Sequence, residues 1–63
     1  MSLKSFVNNH SLWVDFLDML DAEIATQHKR MEQVSDSVEL YRAQGEIAAL
    51  RKLKMLRDKL NHG

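Results

Sequence analysis

The stretch Val34–Glu39, VSDSVE, interrupts a chain otherwise rich in helix formers, and the turn it places decides the fold. Asp36 followed by Glu39 has the spacing of a capping box. In that arrangement the first carboxylate accepts from a backbone N–H of the new helix, and the second reaches back to the cap. Ser35 and Ser37 also tolerate a turn. The spacing predicts helix 1 over about residues 11–34, a turn at about 35–36, and helix 2 over about 37–60, stopped by the terminal NHG. A start of helix 1 as early as Ser5 is also open.

Upstream of that break, Phe6, His10, Trp13, Leu17, Leu20, Ile24, Gln27, Met31 and Val34 keep an unbroken alternation of four- and three-residue steps, the seam of a bundle helix. There is no proline, glycine occurs only at 45 and 63, and no segment alternates with the period of a strand. A connection this short turns the second helix antiparallel to the first. If the chain folds about residues 35 and 36, Met31 meets Leu40, Ile24 meets Ile47, Leu20 meets Leu50 and Leu17 meets Leu53. The same fold sets Asp15, Asp18, Asp21 and Glu23 beside Arg51, Lys52, Lys54, Arg57 and Lys59, a match that a parallel arrangement loses. It also brings Gln27 near Gln44, either hydrogen-bonded to each other or half exposed.

Size adds a second expectation. A 63-residue chain buries only about 60% of its unfolded surface and must offset roughly 1.5 kcal/mol of ordering per residue. Chains of this kind usually rely on disulfides, a metal or a partner. Cysteine is absent, and no two of His10, His28 and His62 have the i, i+4 spacing of a helical zinc site. A partner chain remains. The expected fold class is therefore all-α: an antiparallel two-helix hairpin that self-associates into a helical bundle, as a dimer or higher homo-oligomer.

The apolar pattern proposes where copies meet. In helix 2, Leu40, Ala43, Ile47 and Leu50 form one stripe, and Ala49, Leu53, Leu56 and Leu60 form another, with a phase slip between them. Near the same end of the hairpin, helix 1 carries Leu12, Trp13, Val14, Phe16, Leu17, Met19 and Leu20, nearly encircling the helix. Two helices cannot cover so wide a surface. The expected interface is Leu12, Trp13, Phe16, Met19, Leu20, Leu53, Leu56 and Leu60.

Gly45 costs about 1 kcal/mol relative to alanine inside a helix. It marks either close approach of another helix or a tolerated surface position. The run Leu50–Leu60, LRKLKMLRDKL, is a basic amphipathic helix. Formal net charge is zero and no aromatic residue follows Tyr41, so the reading adopted is a solvated face neutralised by helix 1. Nucleic-acid binding through Arg51, Lys52, Lys54 and Arg57 is the alternative. Asp15, Asp18 and Asp21 read as a solvated acidic face rather than a cation site. No catalytic constellation or phosphate loop is discernible; neither an enzyme, a cofactor nor a metal is expected. The longest apolar run, IAAL, falls far short of the ~20 residues of a membrane span. MSLKSFVNNH lacks the apolar core of a secretion signal, and a cytoplasmic location is expected.

HSLWVDFLDMLDAEI (His10–Ile24) and ELYRAQGEIAALRKL (Glu39–Leu53) together resemble a class of small uncharacterised helical-hairpin proteins encoded by tailed bacteriophages, often among virion-assembly genes. The matching residues are His10 and Trp13, then Arg42, Gln44, Gly45, Ile47, Leu50 and Leu53. The resemblance implies a phage origin, residence in the host cytoplasm or on the virion, and close helix packing at Gly45 with Arg42 and Gln44 bonding across the contact. The functional expectation is a structural, adaptor or assembly protein, with a phage virion protein or a host protein as a further partner. The alternatives are a nucleic-acid-binding regulator and an inhibitor docking on a host protein.

Overall fold

The computed structural model describes residues 2–62, and among them all regular secondary structure is α-helix. Four helices follow in order: α1 Leu3–Asn8, α2 His10–Gln33, α3 Ser37–Lys54 and α4 Leu56–His62. Local chemistry fixes three of the four starts. Ser2 Oγ accepts from Ser5 N at 3.1 Å, Asn9 Oδ1 from Leu12 N at 3.1 Å, and Asp36 Oδ1 from Val38 N at 2.9 Å. Each satisfies a backbone donor that the first helical turn leaves free.

The VSDSVE break is a connection of residues 34–36, after which α3 packs along α2. The two run in opposite directions, since Arg30 pairs with Glu39 near the connection and Asp21 with Lys54 farther along. Glu39 does not reach back to the cap as a capping box requires. Its carboxylate is held instead by Arg30 across the connection and by Arg42 at 3.6 Å one turn on, two cations that outcompete a backbone N–H.

Predicted helix 1, about 11–34, stands undivided as α2, and Asn9 separates it from the further helix α1 that only the earlier start at Ser5 reached; predicted helix 2, about 37–60, is divided at Met55. Asn9, with φ −81° and ψ 108°, closes α1 through its backbone N–H and caps α2 with its side chain. Met55 ends α3 by donating to Lys52 O at 3.1 Å, and its own carbonyl accepts from Lys59 N at 3.1 Å as α4 begins. The phase slip legible between the two stripes of helix 2 is resolved at this residue. Leu40, Ala43, Ile47 and Leu50 turn toward α2, and after the break Leu56 and Leu60 are half-buried again. Leu53 precedes the break and lies roughly a quarter turn off the first stripe. It stays 41% exposed and is not part of the buried core.

The divisions let α1 fold onto α2 and α4, closing the end that a bare pair of helices leaves open. Val7, Trp13, Leu20, Ala43 and Ile47 are buried. The seam of helix 1 faces inward throughout, except at His10, which begins α2 just after the Asn9 reset and is exposed. The molecule is a rod, 42 × 22 × 15 Å, with a radius of gyration of 14.2 Å. A compact chain of this length has about 11 Å. The elongation explains why so few side chains are fully covered.

Candidate functional site

Three surfaces emerge from this arrangement. At the closed end, Phe6, Trp13 and Phe16 form an aromatic cluster. Phe6 stands edge-on to both partners, with centroids 6.4 Å from Trp13 and 5.4 Å from Phe16, and Trp13 and Phe16 are tilted at 5.6 Å. These are favourable aromatic geometries. Beside them the carboxamides of Asn8 and Asn61 exchange two hydrogen bonds, of 3.0 and 2.8 Å, clasping α1 to α4.

This cluster corrects the expected interface. Trp13 (4% exposed) and Leu20 (2% exposed) are covered by the chain's own helices and offer no contact surface. Leu12, Phe16, Leu56 and Leu60 are half-buried, whereas Met19 and Leu53 remain exposed. The reason is that α1, which the 4-3 pattern carried straight into helix 1, doubles back at Asn9. Asn9, three residues before Leu12, was the available signal for that break.

The second surface is the side of α3 turned away from α2. Val38 is 54% and Tyr41 70% exposed, and Gly45, Ala49 and Lys52 are exposed beside them, with Ala48 at the edge where this side meets the groove toward α2. A Cβ built on Gly45 meets nothing within 4 Å, so no helix of this chain packs closely there. Arg42 and Gln44 are likewise exposed. Gln44 makes no hydrogen bond to Gln27, whose Oε1 is buried without a partner.

A shallow groove of about 220 Å³ between α2 and α3 is lined by His28, Met31, Gln44, Ile47, Ala48 and Arg51. Pockets that enclose a drug-sized ligand generally run to ~300 Å³ or more.

The third surface is basic. Arg51, Lys52, Lys54 and Arg57 are all exposed, but Lys54 Nζ is held by Asp21 Oδ1 at 2.6 Å. Arg51, Lys52 and Arg57 have no ion-pair partner among the described residues. Asp15 and Asp18 lie exposed on α2. Among the described residues no three His, Asp or Glu side chains are grouped to hold a metal ion, and no helix is long and apolar enough to cross a membrane.

No protein-family model, no curated protein and no solved structure matches the chain.

Proposed function

We propose that this chain is a small non-enzymatic interaction protein, an antiparallel helical hairpin that associates with further copies of itself and serves as an adaptor or assembly component. The carrying observation is the imbalance between the core and the apolar residues left outside it. Among the described residues five side chains are buried, while Leu3, Met19, Val38, Tyr41 and Met55 are each more than half exposed. A chain this small gains little from its own core, and a partner surface supplies the rest. The phage origin, a role in virion assembly and a place in the host cytoplasm rest on the resemblance of His10, Trp13 and the Arg42–Gly45 segment. The test is sedimentation equilibrium over a dilution series with helicity followed in parallel. A reversible oligomer supports the reading; a monomer at every concentration overturns it and leaves capture by a different protein as the use of those residues.

The second reading is nucleic-acid binding through Arg51, Lys52 and Arg57, which have no ion-pair partner among the described residues. It requires binding that weakens steeply with salt, at about 0.9 logarithmic units of affinity per logarithmic unit of salt for each phosphate contact on duplex DNA. Salt-independent or absent binding removes it.

A further inference from the structure

Helix α3 is apolar on two sides. At 3.6 residues per turn, Val38, Tyr41, Gly45, Ala48, Ala49 and Lys52 fall on one face, roughly opposite the Leu40, Ala43, Ile47 and Leu50 stripe that packs on α2. All six are exposed. In the middle of that face stands a glycine that weakens the helix and that nothing inside the chain requires. Resting on the self-association reading, we propose that a second copy of this chain docks on this face, its α3 crossing the first antiparallel at Gly45 in a two-fold symmetric pair.

Three features of the face specify that occupant. The first is charge. Arg42 and Glu46 are exposed on either side of Gly45 along the edge of this face. An antiparallel copy centred on Gly45 sets Arg42 of one helix within a turn of Glu46 of the other, twice, and opposes the two helix dipoles, whereas a parallel copy sets Arg42 beside Arg42 and Glu46 beside Glu46.

The second is shape. With the two-fold axis at Gly45, Tyr41 of one copy lies over Ala49 of the other, Arg42 over Ala48, and Val38 against the aliphatic stem of Lys52. Each large side chain thus meets a small or extended one. Small residues four apart, here Gly45 and Ala49, let helix backbones approach closely.

The third is closure. A patch that is complementary to itself about a two-fold axis ends in a dimer rather than a fibre. One helix face buries less than the ~1,200 Å² of a stable interface, so the pair dissociates on dilution.

Sedimentation equilibrium of the full chain decides the matter, comparing wild type with Gly45→Leu, Tyr41→Ser and Met19→Ser. The added Leu side chain starts in open space within the chain and leucine is the better helix former, so Gly45→Leu keeps the monomer folded. Tyr41→Ser trims an exposed ring and tests the same face independently. The expected result is a dimer weakened at least tenfold by each α3 variant and unchanged by Met19→Ser. A dimer indifferent to both α3 variants and lost with Met19→Ser overturns this contact but leaves self-association standing. A wild type that stays monomeric overturns both.

Discussion

Replacing Gly45 with alanine raises the stability of the isolated chain. The sign follows from the surroundings of the residue: its missing Cβ points into open space, so the new methyl creates no clash. The magnitude follows from the backbone. Glycine in a helix interior is about 0.8–1.0 kcal/mol less favourable than alanine, because it loses more conformational freedom on folding. For a chain of 63 residues the unfolding entropy is roughly 0.13 kcal/mol/K, which converts 1 kcal/mol into about 8 °C. Thermal unfolding followed by far-ultraviolet circular dichroism, at concentrations where the chain is monomeric, reads this shift directly. The effect also depends on concentration. A dimer that uses Gly45 stabilises the wild type by mass action and not the variant, so the advantage of Gly45→Ala shrinks as protein is added. An unchanged or lowered melting temperature at high dilution refutes the reasoning, since it means the monomer itself needs a glycine at this position.

Three further outcomes test other parts of the fold. Asp36→Ala removes the side chain that accepts from Val38 N and lowers stability by about 1 kcal/mol, with Asp36→Asn restoring most of it in chemical denaturation. Gln27→Met replaces an amide whose Oε1 is buried without a partner by an apolar side chain of similar length. It raises the denaturation midpoint, by roughly 1 kcal/mol of stability. Phe6→Ala opens the aromatic cluster, costs about 1–3 kcal/mol and shifts Trp13 fluorescence to the red as water reaches the indole; an unshifted spectrum refutes the packing of α1 over Trp13.

The helical seam was written plainly in the sequence because its period spans nearly the whole of one long element. Of its members, only His10 faces solvent in the structure. The antiparallel course of α2 and α3 was legible from the short connection, and Asp21–Lys54 is one realised pair from the expected charge match. Single-residue breaks were harder. Asn9 carries a cap signal inside a seam whose apolar spacing runs through it, so the start of the long helix at about residue 11 was legible while the separate helix α1 before it was not. Met55 carries none, being neither glycine nor proline; its break depends on Leu56 and Leu60 turning inward after α3 has ended. Missing α1 and the break at Met55 displaced the candidate site. Apolar residues too numerous for two helices were assigned to another copy, when α1 of the same chain packs on α2, with Phe6 against Trp13, and α4 packs on α1. The outward face of α3 was obscured by alanine and glycine, which fit a buried or an exposed face equally well.

The amide clasp between Asn8 and Asn61 joins positions 53 residues apart, while the connection at residues 34–36 joins neighbours. Contacts near the connection close small loops, and the clasp closes almost the entire chain, at a greater entropic cost. Folding therefore zips from the Asp36 turn toward the clasp, and thermal opening runs the other way. Amide protons of α1 and α4 exchange with solvent through this partial opening, ahead of those in the middle of α2 and α3. Each such opening bares Phe6, Trp13 and Phe16 while the α2–α3 pair stays intact, so the end of the rod that looks sealed at rest is the part of the molecule that breathes.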